Sequence, residues 1–200
     1  MEAGGPSNIL YIHSHDTGRF VQPYGHPVPT PNIQMLAEQG ALFRQAFCAS
    51  PTCSGSRASL LTGQYCHTNG MFGLAHRGWR LNDYSRHIVH PLRAAGYHSV
   101  LIGEQHVSED PAVIGYDEIR EVDSNHAADV APIANATLRD VPEPFFLSVG
   151  FFETHREFQA PTSVRDTLYS LPAPNLPDTL ATREDMAAFK ASARSLDQGI

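Results

Sequence analysis

Four short apolar runs, Asn8 to His13, Ala41 to Phe47, His98 to Ile102 and Phe145 to Phe151, are separated by stretches with helical periodicity. Runs this short read as buried strands, and helices between successive strands act as crossovers. The pattern predicts an α/β fold with a mostly parallel sheet sandwiched by helices. The helix signals have named causes. Thr30-Pro31 offers an N-cap and a proline at the first helical position, Ile33, Leu36 and Ala37 share one face, and Gly40 follows the end. Ser56 to Leu61 opens a short helix closed by Gly63, and Ser85 to Ala95 a longer one stopped by Gly96. Ala127 to Leu138 reads as helical despite Pro132. Thr182-Arg183-Glu184-Asp185 has the form of a capping box, and Met186, Phe189, Ala193, Leu196 and Ile200 follow at helical spacing. That last pattern reaches Ile200 on an apolar position without a cap. The expectation is that residues 1–200 are the N-terminal part of one larger domain.

With 200 residues, 42% hydrophobic and 18% charged, the chain is expected to form a single globular unit. A formal net charge of -7 excludes a general nucleic-acid partner or a membrane surface, both of which need basic patches. No apolar run is long enough to span a bilayer, and Met1 to Ser7 leads into the first strand without a secretory leader, so a cytoplasmic location is expected. Cys48, Cys53 and Cys66 give an odd count without metal-type pairing, which argues against a disulfide framework. Every cationic side chain except Lys190 is arginine, whose planar fork suits bidentate contact with sulfate or phosphate.

Open sheets of this kind place ligands beyond the C-terminal ends of their strands. The first strand ends in His13-Ser14-His15-Asp16, the His98 strand in Gly103-Glu104-Gln105-His106, and the Phe145 strand leads to Glu153-Thr154-His155-Arg156. Cys53 is expected near the N-terminus of the short helix, where unpaired N–H groups favour an anion. Arg57 faces the same side one turn later. His15 and Asp16 are adjacent nitrogen and oxygen donors, and an imidazole suits zinc, manganese or iron better than calcium.

The run Cys53-Ser54-Gly55-Ser56-Arg57-Ala58-Ser59-Leu60-Leu61-Thr62-Gly63, followed by Asn69-Gly70-Met71-Phe72-Gly73-Leu74, resembles the signature of the formylglycine-dependent sulfatases of the alkaline-phosphatase-like superfamily. Asn69 to Met71 and Leu196-Asp197-Gln198-Gly199 look most like the heparan N-sulfatase, or sulfamidase, branch. The resemblance implies that a formylglycine-generating enzyme oxidises Cys53 to formylglycine, whose hydrated aldehyde attacks sulfur. It implies catalytic roles for Cys53, Arg57, His106 and His155, and a divalent metal held by Asp16, His15 and Cys53. Calcium follows from the resemblance, manganese or zinc from His15. The implied substrate is a sulfate ester or sulfamate on a small molecule or glycan.

Three positions depart from the family pattern. His15 replaces the first of two aspartates, Gly55 stands where proline or alanine is usual and the oxidising enzyme reads, and Glu104 replaces a lysine that contacts sulfate. A carboxylate in that spot repels a dianion, so Glu104 must point away, serve a metal or proton, or mark a changed substrate. The departures keep open a phosphodiesterase or phosphonate monoester hydrolase on the same fold, or an inactive truncated family member. A later Asp-Asn or Asp-His pair past Ile200 is expected to complete the metal site, and the 200-residue fragment alone is expected to be inactive.

Overall fold

Side-chain alternation along two central strands divides the core into two faces. In the computed structural model, which describes residues 5–161 and 163–200, the strands are β1 (Ile9–His13), β2 (His98–Gly103), β3 (Glu118–Arg120) and β4 (Phe145–Gly150). All pairings are parallel, in the order β1-β4-β2-β3. The helices are α1 (Pro31–Gln39), α2 (Cys53–Thr62), α3 (Cys66–Asn69), α4 (Val89–Ala94), α5 (Ala127–Asp140), α6 (Val164–Leu168) and α7 (Leu180–Gly199). Leu101 and Phe146 point to one face and pack with Ala58 and Leu61 of α2 and Val89 of α4. Val100, Ile102, Phe145, Leu147 and Val149 point to the other and meet Ala127 and Val130 of α5 and Leu196 of α7. Burial on both faces is why β4 is buried throughout and, apart from Ser148, carries no polar side chain, rather than alternating.

The strand ends approach unusually closely. Glu104 N–H donates to the Gly150 carbonyl at 2.9 Å, and a methyl group on Gly150 would overlap the Glu104 carbonyl and the His13 ring. Glycine is therefore required where β1, β2 and β4 deliver their loops. Gly150→Ala is expected to cost about 1–3 kcal/mol through overpacking, read as a lower midpoint in denaturant titration; an unchanged midpoint would contradict this packing.

The structure corrects four expectations. Ala41 to Phe47 forms no strand; Phe43 and Phe47 are exposed, Phe47 at 90%. The sheet instead takes β3, whose Glu118 and Arg120 hide it from a hydrophobicity reading. Ser85 to Ala95 is split into a 3-10 turn at Tyr84–Arg86 and α4. Pro91 explains the split, because its ring clashes with the carbonyl four residues earlier, at His87, if the helix continues. The capping box of α7 lies one turn earlier than expected: Thr179 is the N-cap, and its side chain and that of Thr182 bond each other's backbone N–H at 3.3 and 3.0 Å. By contrast α5 runs through Pro132, on its exposed side.

Asp197 gives the Leu196 to Gly199 segment a structural task. Its carboxylate accepts from Asn32 and Ile33 N–H at 3.2 and 2.9 Å, capping α1 from α7, while Thr30 is instead tied to Gln22. The first four residues of the Met1 to Ser7 leader reading lie outside the described residues. No helix among the described residues is long and apolar enough to cross a membrane.

Candidate active site

Thr52 is extended at the N-cap, so the chain turns into α2 at Cys53, and Gly63 ends the helix in the left-handed region at φ 66°. Arg57, one turn after Cys53, is only 8% exposed. Its guanidinium donates to the Ser14 carbonyl at 3.1 Å and to His13 Nδ1, fixing α2 against the end of β1. His13 is driven well below its ordinary pKa by burial and by the Arg57 charge.

Beyond β1, backbone bonds hold His15 against the segment after β4. His15 N–H donates to the Glu153 carbonyl at 2.8 Å, and the Thr154 N–H and hydroxyl donate to the His15 carbonyl at 2.6 and 3.0 Å. The ring is 1% exposed, with Nδ1 3.3 Å from Asp16 Oδ1 and Nε2 2.8 Å from His106 Nδ1. Burial, then the Arg57 charge, lowers the His15 pKa to about 4, opposed by Asp16; His106 is lowered chiefly by burial. Asp16 and His106 both have φ 54°, a left-handed conformation for non-glycine residues. Gln105 holds the His106 turn by accepting from Val107 and Ser108 N–H.

His155 stacks edge-on against His15, ring centroids 4.8 Å apart, with Nε2 4.0 Å from Asp16 Oδ2. A cavity of about 370 Å³ is lined by Tyr11, His15, Asp16, Cys48, Cys53 and Arg57 among others. A larger apolar cavity of about 570 Å³ adjoins it, sharing Cys48, Ser56 and Leu60. The titratable groups converge on the smaller one. Two donor triplets have ligand atoms within 4.8 Å of one another: His15, Asp16 and His155, and His15, Cys53 and His106. The expected metal residues Asp16, His15 and Cys53 are thus near one another but share His15 between two sets. One carboxylate among imidazoles suits a manganese- or zinc-class ion rather than calcium, which takes oxygen ligands.

Glu104 turns away from this cavity. Its carboxylate accepts from Gln105 N–H and Asn125 Nδ2, both at 2.9 Å, and faces His106 Nε2 at 3.5 Å. Arg156 forms a bidentate pair with Asp185 and lies over the Phe158 ring at 4.6 Å, so it is committed to α7 rather than to the cavity. Gly55 has a packing reason too. A side chain there would meet Ser50 Oγ at 2.6 Å and Cys66 Sγ at 3.2 Å, so Ser50 occupies the space a proline or alanine would use. The three cysteines are free.

The sulfatase family model matches residues 7–200. The chain belongs to the sulfatase family. It is 30% identical to human N-sulphoglucosamine sulphohydrolase over 98% of its length, spanning 46% of that relative. Among solved structures it resembles a 2-O GAG sulfatase at TM-score 0.75 and 20% identity, over 96% of this chain and 52% of that one. It also resembles a protein in complex with its substrate D-Glucosamine-2-N, 6-O-disulfate at TM-score 0.65 and 21% identity, over 77% of this chain and 36% of that one. The chain therefore carries the alkaline-phosphatase-like fold of these sulfatases and spans about half the length of that human relative.

Cys53, Arg57, His15, Asp16, His106 and His155 lie close together at the strand ends. Sequence reasoning left three neighbours aside. His13 is the Arg57 partner; its strand parity with His15 was the available signal. His76 lies 5.9 Å from the His106 ring, and Asn125 fixes Glu104 from a separate loop. Neither position carries a motif.

Proposed function

We propose that the whole protein hydrolyses a sulfate ester or sulfamate on a sulfated sugar, with residues 1–200 forming the N-terminal part of a single catalytic domain. The observation carrying this reading is the convergence of Cys53, Arg57, His15, Asp16, His106 and His155 beyond the C-terminal ends of β1, β2 and β4. The hydrated formylglycine derived from Cys53 by a formylglycine-generating enzyme would supply the attacking hydroxyl. Asp16 and His15, with ligands from elsewhere in the protein, would hold a divalent ion that neutralises sulfate oxygens.

The chain's own residues divide the remaining work. Cys53 sits at the N-terminus of α2, where backbone N–H groups favour the anionic group. The Arg57 guanidinium adds a fixed cation on the same side. His106 approaches the nucleophile, and half-buried His155 is placed to give a proton to the leaving oxygen. The names of the human relative and of the glucosamine disulfate complex make an amino-sugar sulfate the first substrate to test.

The test combines peptide mass spectrometry at Cys53 with parallel turnover of an aryl sulfate, glucosamine N-sulfate and an aryl phosphonate. Sulfate hydrolysis is expected to scale with the converted fraction of Cys53. Full-rate turnover with only unmodified cysteine would falsify the nucleophile assignment. Preference for the phosphonate would favour the second reading, a phosphonate or phosphodiester hydrolase, which Glu104 supports because the lysine position offers no cation. No turnover of any of the three would point to an inactive family member.

A further inference from the structure

We propose that the loop between α3 and Asn82 carries an accessory glycan-binding ledge, on which Phe72 and Trp79 stack against a second sugar ring while Arg77 and Arg80 bind its sulfate groups. The assignment rests on the sulfated-sugar reading above. Phe72 and Trp79 are 53% and 45% exposed and meet edge to face, ring centroids 5.8 Å apart, and the exposed His67 ring lies 5.4 Å from Phe72. Exposed rings in contact form one apolar patch, which marks a binding surface where a single exposed ring would not. The C–H face of a sugar ring is also apolar, and it packs on such a surface by dispersion while its hydroxyls stay in water.

The loop is fixed before any ligand arrives. At its base Asn82 N–H donates to the Asn69 carbonyl at 2.8 Å and Asn82 Nδ2 to the Thr68 carbonyl at 3.1 Å, while Met71 N–H donates to the buried Asn69 side chain at 2.9 Å. Midway, Ala75 N–H donates to Ser54 Oγ at 3.0 Å, which ties the loop to the residue after Cys53. The Trp79 indole lies directly on Gly73, where any side chain would overlap it. A ledge anchored in this way loses little conformational freedom on binding.

Charge and position select the ligand. Arg77 and Arg80 are exposed and have no carboxylate partner among the described residues, because Asp83, the nearest acid in sequence, is taken by Ser85 N–H and Arg86. Their planar forks suit sulfate. In a chain of net charge -7 they make a local anion site rather than a general one. His76, on the same loop, lies 5.9 Å from the His106 ring, so the ledge adjoins the active-site cavity. The α-carbons of His76 and Trp79, three residues apart, are separated by at most about 11 Å. A sugar linked to the reacting one covers that span. A purely apolar partner would leave both guanidinium groups unanswered, whereas a sulfated glycan meets the rings and the charges together.

The test measures binding in the whole protein carrying Cys53→Ala, which removes the hydrolytic step in advance. The probes are glucosamine N-sulfate, a tetrasaccharide cut from heparin, and the same tetrasaccharide desulfated. Calorimetry is expected to show the sulfated tetrasaccharide binding about tenfold more tightly than the monosaccharide, and Trp79→Ala is expected to remove that advantage. Arg77→Ala and Arg80→Ala should each weaken tetrasaccharide binding about 2–5-fold and reduce its salt dependence. Trp79→Phe keeps a stacking ring in the loop and should keep the advantage. Trp79 is the one tryptophan among residues 1–200, and its fluorescence should change on tetrasaccharide binding, read as the difference between the parent and Trp79→Phe. Equal affinity for tetrasaccharide and monosaccharide, an unchanged advantage in Trp79→Ala, equally tight binding of the desulfated chain, or no Trp79 fluorescence change would each overturn the assignment. None of these readouts requires turnover, so failure of the sulfatase reading is scored separately.

Discussion

Arg57→Ala is expected to lower kcat for an aryl sulfate by about 10²–10³-fold in the whole protein, the loss typical of one preorganised charge-stabilising donor. The guanidinium is buried, bonded to the Ser14 carbonyl and to His13, and projects from the helix whose first residue is Cys53. Its position is fixed before substrate arrives, so its contribution falls mainly on kcat. Arg57→Lys keeps the charge but loses the planar fork that serves β1 and the cavity together, and is expected to recover little activity. Removing the donor also leaves buried acceptors unpaired, at about 1–3 kcal/mol of stability, which a thermal melt reads separately. An Arg57→Ala enzyme with kcat close to wild type would remove Arg57 from the proposed machinery.

The legible parts of the fold were those where local chemistry and tertiary burial agree. β2 and β4 are mostly apolar because both of their faces are covered, edge strand β1 packs Ile9, Tyr11 and Ile12 while Leu10 stays exposed, and α2 is bounded by an extended Thr52 and a left-handed Gly63. Ala41 to Phe47 misled because its apolar residues line a cavity or lie exposed instead of pairing in the sheet. β3 was missed because three residues at a sheet edge, two of them charged, carry no periodic signal. The split before α4 follows from Pro91 acting on the carbonyl four residues back, a rule that could have been applied to the bare sequence.

At the site, motif residues were legible and their partners were not. Strand-end position brought His15, Asp16, His106 and His155 together, since a parallel sheet gathers its C-terminal ends. Whether Glu104 faces the cavity depends on Asn125, a residue with no motif, on another loop. Gly55 likewise appeared as a defect in the motif until Ser50 was seen to fill the space beside it. Both departures are set by side-chain contacts, one between separate loops and one with a residue just before the helix, which a one-dimensional reading does not contain.

His87 provides the second large effect, on stability against pH. The side chain is fully buried, its Nε2 has no hydrogen-bond partner, and its Nδ1 accepts only a 3.4 Å bond from Val89 N–H. Burial, with a smaller contribution from His90, lowers its pKa from 6.5 to about 4. The unfolded chain therefore binds the His87 proton more readily than the folded one between those values. Stability contributed by the neutral ring is fully present above pH 6.5 and falls as pH drops toward 4, by about 3 kcal/mol in total. His13, His15 and His106 are shifted in the same direction, so the wild-type protein should lose stability steeply on the acid side. His87→Leu removes both the titration and the unpaired nitrogen while keeping an apolar side chain against Tyr116, 5.7 Å away. Urea titrations at pH 7 and pH 4.5 should show the variant losing less stability than wild type over that interval, by about 2–3 kcal/mol. Equal losses in the two proteins would mean that His87 does not stay neutral in the folded state, and would return the acid sensitivity to the histidines around Arg57.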